Sequence, residues 1–239
     1  MRTYLKIGMA CLGLLASSLI LAKDVTATNW LVADGNGKII DGERTNEIRS
    51  IASITKLVTV MAVVDARQDL DEKINQFTRR QLIQLALIKS DNTAARQLCE
   101  NFPGGIIKCV AAMNNKVHAF GLSQTHFLEP TGLSVFNTST AEDLMTIVLE
   151  AQNYKLITEA SNTSQDKIKV KKHWYTFHNT NPLVATKNFI VTKTGYIRAS
   201  GGCVVMMLDT AVGRRIVIVL GSKNTRTRFP EAELLASRY

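Results

Sequence analysis

Ser53 and Lys56 stand three residues apart, where a helical pattern begins that runs to about Ala66. Residues three apart on a helix share a face, so the hydroxyl and the amine would lie side by side. A serine hydroxyl becomes a nucleophile when a base accepts its proton, and a lysine amine that burial keeps neutral is such a base. Backbone N–H groups at a helix start could also stabilise an oxyanion. The pair therefore predicts acyl transfer through Ser53, although a helix cap followed by a surface lysine would have the same pattern.

A second short motif, Ser90-Asp91-Asn92, lies between two helical patterns. The Ser90 hydroxyl could relay a proton, and the Asn92 side chain offers a carbonyl and an amide that could hold a lysine or a substrate chain. Ser, Asp and Asn are also the residues that most often cap helix starts. This motif alone does not distinguish chemistry from capping.

A third motif, Lys193-Thr194-Gly195, follows a strand-like run over residues 189–192. Lysine and threonine side chains can hold an anion, and a glycine lets a ligand backbone approach a strand closely. A strand that ends in a turn would carry the same residues. This motif too is ambiguous by itself.

A sheet and a set of helices must bring these motifs together. Two short apolar runs flank Asp34-Gly35-Asn36-Gly37, which predicts a β-hairpin. Helical patterns fill the middle of the chain, and strand patterns return after residue 160. The predicted helices are 53–66, 79–88, 93–99, 106–120 and 140–151, and the predicted strands are 30–33, 38–40, 167–171, 189–192, 202–208 and 216–220.

This order of elements predicts an α+β fold. Its antiparallel sheet would pair the two chain ends, and a helical lobe at about 67–150 would be inserted between them. Lys167, Lys169 and Lys171 alternate with apolar residues along one predicted strand. We interpret them as the solvated face of that strand rather than as a binding patch.

The composition is that of an ordinary globular protein, with 46% hydrophobic and 21% charged residues among 239. It excludes disordered and collagen-like chains, and the length suits one domain with a sub-lobe. The formal charge of +9 favours an anionic partner, such as a cell-wall polymer, a membrane surface or nucleic acid. Charge alone does not choose among these partners.

Residues 1–22 are typical of a secretory signal peptide, because Arg2 and Lys6 precede an uncharged apolar run that ends at Ala22. A cut after Ala27 is an alternative, and an uncleaved membrane anchor is another. We expect cleavage, with residues 28–239 forming a single exported domain that is periplasmic or associated with the cell wall. Such a protein would keep no stable membrane anchor, and nucleic acid is excluded from its expected partners.

The cysteines do not suggest a disulfide framework. Cys11 lies in the signal segment, which leaves Cys99, Cys109 and Cys203. Cys99 and Cys109 lie in neighbouring helical patterns and could pair, but two free buried cysteines are the favoured interpretation. The sequence has no CxxC or HExxH motif and its four histidines are scattered, so we expect neither a metal site nor a cofactor.

Together and in this order, the three motifs match the S-x-x-K, S-D-N and K-T-G set of penicillin-binding proteins and class A β-lactamases. The chain resembles the low-molecular-weight penicillin-binding proteins, the D-alanyl-D-alanine carboxypeptidase and endopeptidase family (serine peptidase family S11). Further stretches extend this resemblance from Trp30 to about Ala232; they include Arg49-Ser50-Ile51-Ala52, Pro103-Gly104-Gly105, Glu129-Pro130-Thr131-Gly132-Leu133 and Asn179-Thr180-Asn181.

The resemblance implies a β-lactamase/transpeptidase-like fold and a serine peptidase that acts on peptidoglycan stem peptides or cross-links. Ser53 would attack the D-Ala carbonyl, with Lys56 as general base, to give an acyl-enzyme. Ser90 would pass the proton to the leaving amine, and Asn92 would orient the substrate chain. β-Lactams would act as substrate mimics that stall at the acyl stage.

Residues that bind the substrate are implied in the same way. Lys193 would keep the cleft positive and so disfavour protonated Lys56, and Thr194, followed by Gly195, would hold the substrate carboxylate. The backbone N–H groups of Ser53 and Tyr196 would form the oxyanion hole.

Arg226 is a further candidate for binding the substrate carboxylate. Its segment, Ser222-Lys223-Asn224-Thr225-Arg226, departs from the Gly-Lys-Tyr-like pattern of the family. Arg228 therefore competes with Arg226 for this role.

Two other functions remain as alternatives. A class A-like β-lactamase would need a carboxylate that activates the deacylating water, but Glu129 is followed by Pro130-Thr131-Gly132, and we interpret it as structural. A non-catalytic β-lactam-sensing or wall-binding module would not need every motif residue intact. Carboxypeptidase and endopeptidase activities both stay open, although the short sequence after Gly195 favours the endopeptidase branch, because the carboxypeptidases usually add a β-rich domain and an anchor.

Overall fold

Strands from both ends of the chain form a five-stranded antiparallel sheet in the computed structural model, which describes residues 25–239. The sheet order is β2-β1-β11-β10-β9, with β9 at one edge. The pairing of the two chain ends in one sheet is as the sequence predicted. The strands, in chain order, are β1 (Asn29–Asp34), β2 (Ile39–Glu43), β3 (Arg49–Ser50), β4 (Lys73–Ile74), β5 (Phe77–Thr78), β6 (Thr138–Ser139), β7 (Gln165–Val170), β8 (His173–His178), β9 (Phe189–Ile197), β10 (Gly201–Thr210) and β11 (Gly213–Ser222).

The helices lie between and after these strands. Capping side chains fix several starts: Thr78 and Gln81 form a capping box, and Thr140 accepts from the backbone of Asp143. The helices, in chain order, are α1 (Thr55–Asp65), α2 (Arg79–Leu87), α3 (Asn92–Glu100), α4 (Gly105–Ala119), α5 (Ala141–Ala151), α6 (Lys155–Ser161) and α7 (Arg228–Arg238).

The two faces of the sheet are covered by different helices. Along β10, Val205 and Met207 belong to the large core that contains α1 and α5, whereas Val204 and Met206 pack with Leu235 of α7. Successive side chains of a strand point to opposite faces, so this alternation places helices on both sides of the sheet. The resulting fold is the predicted α+β fold.

Besides the two-residue strands β3, β4, β5 and β6, three elements were not predicted from the sequence. The strand β8 carries the exposed residues Trp174 and Tyr175, so its alternation of apolar and polar residues is weak. The helix α6 is only seven residues long. The helix α7 mixes charged and apolar residues, and it forms because its apolar side covers the sheet.

The preference for two free cysteines was wrong. Cys99 at the end of α3 and Cys109 in α4 form a disulfide bond, and both are buried. The turn at Pro103-Gly104-Gly105 reverses the chain between the two helices. It brings the Cα atoms of Cys99 and Cys109 to within 5.3 Å of each other, a distance that a disulfide bond can span. Cys203 is buried in β10 with a free thiol.

The predicted signal peptide, residues 1–22, lies outside the described residues. Within the described part, no helix has both the length and the apolar character that crossing a membrane requires. The division into a signal peptide and a single domain at 28–239 stays a prediction.

Candidate active site

The chain turns sharply just before Ser53. A short 3₁₀ segment, Ala52–Ile54, leads directly into α1, and Ala52 has a positive φ of 47°, which is strained for a residue with a side chain. The Thr55 hydroxyl donates to the Ala52 carbonyl oxygen at 2.8 Å and secures the turn. Ser53 thus stands at a helix start, where backbone N–H groups have no partner within the helix.

Lys56 is fully buried in the first turn of α1. Its Nζ donates to Ser53 Oγ at 2.7 Å, to Asn92 Oδ1 at 2.7 Å and to the Thr131 carbonyl oxygen at 2.6 Å. Burial lowers the pKa of Lys56 to about 7, although two nearby carboxylates act to raise it. An amine with this pKa is neutral in a large fraction of molecules near pH 7, so it can accept a proton from Ser53.

Lys193 is a second buried lysine of the site. Its Nζ donates to Ser90 Oγ at 2.8 Å and to the Thr194 carbonyl oxygen at 3.0 Å. Burial lowers the pKa of Lys193 well below its usual value, and the charges of Lys56 and Arg228 lower it further. For Lys56 itself the main cause of the lowered pKa is burial, as the first motif led us to expect, and the charge of Lys193 is not among the leading causes.

The second motif serves as a helix cap and also supplies groups to the site. The Asp91 carboxylate caps α3 by accepting a hydrogen bond from a backbone N–H of its first turn at 2.9 Å. Ser90 has a positive φ of 59° and accepts from Lys193, whereas Asn92 opens α3 and accepts from Lys56. Asp91 therefore caps the helix, while Ser90 and Asn92 contact the two site lysines; the chemical roles of Ser90 and Asn92 stay predictions.

The edge strand β9 passes directly beside the nucleophile turn. The third motif lies in the middle of β9, which stays paired with β10 as far as Ile197, so the prediction that the strand ends before Lys193 was wrong. A Cβ atom on Gly195 would lie 2.8 Å from the Ile51 carbonyl oxygen and 3.1 Å from the Ser53 nitrogen. Glycine is what allows the strand to run this close to the turn.

Comparison with known proteins places this arrangement in a family. The family model of the D-alanyl-D-alanine carboxypeptidases (Peptidase S11) matches residues 70–224. The D-alanyl-D-alanine endopeptidase of Pseudomonas aeruginosa is 36% identical over 246 residues, which cover 92% of this chain and 79% of that protein. The chain belongs to the Peptidase S11 family. The D-alanyl-D-alanine endopeptidase of Escherichia coli K12 is 35% identical, with 89% of this chain and 76% of that protein covered.

Solved structures share the fold of this S11 peptidase. A mutant of the Streptomyces K15 DD-transpeptidase superposes with a TM-score of 0.83 at 22% identity, covering 89% of this chain and 96% of that chain. Penicillin-binding protein D2 of Listeria monocytogenes, in its cefotaxime-bound form, superposes with a TM-score of 0.78 at 23% identity over the same shares.

Thr194 and Tyr196, the predicted substrate contacts of this S11 peptidase, lie on β9 on either side of Gly195. Thr194 is buried, and its hydroxyl donates to Thr180 Oγ1 at 2.7 Å. Tyr196 is half-exposed and pairs in register with Gly202 of β10. Only the family resemblance pointed to the segment of Thr180, and no sequence pattern predicts this contact.

The two candidate arginines occupy different surroundings. Arg228 is buried, and its guanidinium donates to the carbonyl oxygens of Gly195 at 2.7 Å and Cys203 at 3.3 Å. It therefore supports β9 and β10 from within. Arg226 is exposed, in a turn that Asn224 organises by accepting from the Arg226 backbone at 2.8 Å. Its role as a carboxylate ligand stays a prediction.

The loop that begins at Glu129 closes the site beside the nucleophile. The Glu129 carboxylate accepts from the backbone nitrogens of Thr131 at 2.7 Å and Gly132 at 2.6 Å. This holds the Thr131 carbonyl, which accepts from the site lysine. Gly132 has a φ of 83°, and a Cβ there would lie 2.7 Å from the Ser53 nitrogen. Because Glu129 is engaged within its own loop, the structural interpretation of this residue is favoured over a β-lactamase-like role.

Proposed function

We propose that this S11 peptidase hydrolyses D-Ala-containing peptide bonds of peptidoglycan through an acyl-enzyme at Ser53. The observation that carries the proposal is the 2.7 Å contact between Ser53 Oγ and the buried amine of Lys56. Because burial lowers the pKa of Lys56 to about 7, the amine can take the serine proton near neutral pH. Ser53 Oγ then bonds to the D-Ala carbonyl carbon as the C–N bond to the leaving amine breaks.

The proton must next reach the leaving amine. Ser90 is the proposed relay: its hydroxyl would give its proton to the leaving amine and take in its place the proton that Lys56 received from Ser53, while Lys193 holds the Ser90 oxygen at 2.8 Å. Asn92 holds the Lys56 amine through its side-chain carbonyl, which leaves its amide to orient the substrate chain. Water then hydrolyses the Ser53 ester and frees the enzyme.

The substrate would lie along β9. This strand is the edge of the main sheet, so an extended peptide can pair with its free side. The backbone N–H groups of Ser53 and Tyr196 are the proposed oxyanion hole, and Gly195 lets the carbonyl approach them. Thr194 and the exposed Arg226 are the proposed ligands of the substrate carboxylate.

Cross-linked stems are the proposed preferred substrate. The Pseudomonas aeruginosa and Escherichia coli relatives, at 36% and 35% identity, are both named D-alanyl-D-alanine endopeptidases. The carboxypeptidase DacF of Bacillus subtilis is less similar, at 25% identity. This ranking supports endopeptidase activity over carboxypeptidase activity.

β-Lactams are proposed to acylate Ser53 as substrate mimics. Their strained amide would meet the same nucleophile, base and oxyanion donors as the peptide. Deacylation would be slow, because Glu129 is engaged in its own loop and is not set up to activate a water. A stable adduct is therefore expected rather than rapid turnover.

Export to the periplasm or cell wall is proposed from the signal-like residues 1–22. A cut at Ala22 fits the described fold better than one after Ala27. The backbone nitrogen of Thr26 donates to Glu231 at 2.7 Å and Ala27 is buried against α7, and the later cut would remove the Thr26 contact.

Digestion of purified cross-linked peptidoglycan, followed by mass analysis of the fragments, tests the function. The parent protein is expected to release uncross-linked stems, and Ser53→Ala should release none. Lys155→Ala, at an exposed position on α6, is the matched control and should digest like the parent. Digestion by Ser53→Ala at the parental rate would contradict the proposal.

A further inference from the structure

The hairpin of β7 and β8 presents an aromatic and basic surface to solvent. In its register Lys167 pairs with Thr176 and Lys169 pairs with Trp174, and residues paired directly across two strands share one face. All four side chains are exposed, and Trp174 is 65% exposed. We call these four residues the outer face of the hairpin. Lys167 and Lys169 lie on a solvated face of the strand, as the sequence predicted, whereas Lys171 lies in the turn after β7. The proposal below departs from the other part of that interpretation, which was that these lysines are not a binding patch.

The opposite side attaches the hairpin to the domain. Ile168 and Phe177 are buried there and belong to the large core. The fold is thus stabilised by this inner side, and the outer face contributes little burial. A buried tryptophan makes one of the largest apolar contributions of any side chain to the stability of a fold, and a tryptophan that is largely exposed to water does not make it. Its exposure fits a binding surface better than a structural role.

The outer face has a definite shape and charge. Lys167, Trp174 and Thr176 line a shallow depression of about 370 Å³, and the Lys169 amine lies 5.9 Å from the centre of the Trp174 ring. Lys171 and Lys172 add two further positive charges at the hairpin tip. Among the described residues, none of these lysines forms a salt bridge. Their charges are therefore available to an anionic ligand.

The hairpin is continuous with the active-site cleft. Thr180, two residues after β8, accepts from Thr194 of the third motif and donates from its backbone to the Ile88 carbonyl at 3.0 Å. It therefore contacts both the strand and the loop that carry site residues. Thr180 lies six positions after Trp174, a span of about 20 Å in extended chain. A polymer whose peptide occupies the cleft can reach the outer face.

We propose that the outer face binds the glycan strand of the polymer whose peptide is cleaved in the cleft. A pyranose ring would lay its C–H side on Trp174, and Lys167 and Lys169 would pair with carboxylates of neighbouring peptide stems. This inference rests on the proposed function, because that function supplies the polymer. Holding the polymer at a second place raises the effective concentration of its peptides at Ser53. The outer face would thus favour wall-bound peptides over free ones.

A membrane surface fits the outer face less well. Lysine and tryptophan also occur together at anionic lipid interfaces. Membrane-binding elements, however, bury a continuous apolar face among the acyl chains, whereas Trp174 is flanked here by Lys167, Lys169 and the polar Thr176. An isolated ring among polar groups suits a sugar, which has one apolar side and many hydroxyls.

Cosedimentation with purified insoluble peptidoglycan tests the proposal. All variants carry Ser53→Ala, so that the polymer is bound and not cut. Trp174→Ala should weaken binding about tenfold, at the lower end of what loss of a ring costs when nucleic-acid bases stack on it. The pair Lys167→Ala and Lys169→Ala should weaken it about threefold at low salt and less at high salt. Tyr175→Ala, an exposed aromatic on the inner side, is the control and should bind like its parent.

Activity measurements on proteins that retain Ser53 distinguish a role of the outer face from a role of the cleft. Trp174→Ala should hydrolyse a small soluble D-Ala peptide and react with penicillin at the parental rates, while its digestion of intact peptidoglycan falls several-fold. If the parent hydrolyses no peptide, but Trp174→Ala still binds peptidoglycan more weakly than its parent, the proposed function is wrong and the proposed role of the outer face is supported.

Three results would overturn the proposal. The first is unchanged peptidoglycan binding by Trp174→Ala. The second is an equal loss of small-peptide hydrolysis, because Trp174 would then support the cleft itself. The third is tight binding to phosphatidylglycerol vesicles that Trp174→Ala abolishes, since this would identify a lipid surface. Circular dichroism and thermal melts of each variant establish that the fold is retained.

Discussion

The Lys193 amine lies 2.8 Å from the Ser90 hydroxyl, although 103 positions separate the two residues in the chain. Lys56 makes the matching contact with Asn92 at 2.7 Å. Each of the two buried lysines thus has a different partner in the Ser90-Asp91-Asn92 loop. The two amines thus share one site but contact different hydroxyls, Lys56 that of Ser53 and Lys193 that of Ser90. The loop therefore has a proposed role both in taking the proton from Ser53 and in delivering a proton to the leaving amine.

We expect penicillin to form its covalent adduct on Ser53. Only this serine contacts the Lys56 amine among the described residues, at 2.7 Å, and it stands at the helix start where an oxyanion can be held. Mass spectrometry of a penicillin-treated, protease-digested sample should place the added mass on the peptide that contains Ser53. An adduct on Ser50 or Ser90 would contradict the assignment.

Acylation should become faster as the pH rises through about 7. Burial lowers the pKa of Lys56 to about 7, so the neutral amine that can take the serine proton predominates above this pH and the protonated amine predominates below it. The rate of acylation by a fluorescent penicillin, measured from pH 5 to 9, checks this direction. A rate that is flat over this range would rule out Lys56 as the titrating base.

Replacing the base should slow acylation strongly. Lys56→Ala is expected to reduce the rate by ~10²–10⁴, the usual contribution of a general base, and to remove the rise near pH 7. Lys155→Ala, which changes an exposed lysine of α6, should leave both the rate and its pH dependence unchanged. A melting curve of each variant separates loss of the base from loss of the fold.

Gly195→Ala should impair acylation because of the close approach of β9 to the nucleophile turn. The new Cβ would lie 2.8 Å from the Ile51 carbonyl oxygen and 3.1 Å from the Ser53 nitrogen, so strand and turn must move apart. We expect the acylation rate to fall at least about tenfold, because small displacements of reacting groups lower reaction rates strongly. Gly35→Ala controls for crowding in general, because its Cβ would lie equally close, 2.8 Å, to the Arg214 Cβ in the first hairpin. It should lose stability without a comparable loss of acylation by the folded protein.

The sequence predicted the layout of the fold well, because its signals are local. The Asn-Gly turn fixed the first hairpin, and the periodicity over 79–88 and 106–120 matches α2 and α4 to within a residue at each end. The disulfide could not be predicted in the same way. It depends on how the turn after Cys99 directs the next helix, and that direction is a property of tertiary packing.

The candidate site was only partly accessible to sequence reasoning. Spacing placed Ser53 beside Lys56, and residue types suggested the other two motifs, but only the match of all three to the family set assigned them to one site. The Thr131 carbonyl that accepts from Lys56 could not be predicted, because any residue supplies a carbonyl and only the loop conformation aims it. The support of β9 by Arg228 likewise depends on a buried contact with the Gly195 backbone, which leaves no pattern in the sequence.

Loss of the disulfide should lower stability. Cys99→Ala combined with Cys109→Ala removes the link between α3 and α4, and we expect the free energy of unfolding to fall by about 2–4 kcal/mol. Urea denaturation of the variant and the parent measures this difference. A reducing agent should destabilise the parent and have no further effect on the double variant, whereas equal stability of the two proteins would contradict the prediction.

The last prediction concerns the bond that is cleaved. We expect a cross-linked dimer of stem peptides to be hydrolysed at least as fast as a monomeric pentapeptide. A carboxypeptidase releases a single D-Ala, whereas an endopeptidase must accommodate a whole second strand as the leaving group. The mouth of the cleft suits the larger group, because Leu133 and Phe136 are 59% and 66% exposed on the loop next to the nucleophile turn, and Tyr196 is 51% exposed on β9. These side chains give a bulky leaving strand an apolar surface to contact.

The two activities are distinguished by assaying the dimer and the pentapeptide at equal concentration, with chromatography of the products. Leu133→Ser combined with Phe136→Ser should slow the dimer reaction more than the pentapeptide reaction. Rapid release of free D-Ala from the pentapeptide, with the dimer left intact, would make the enzyme a carboxypeptidase.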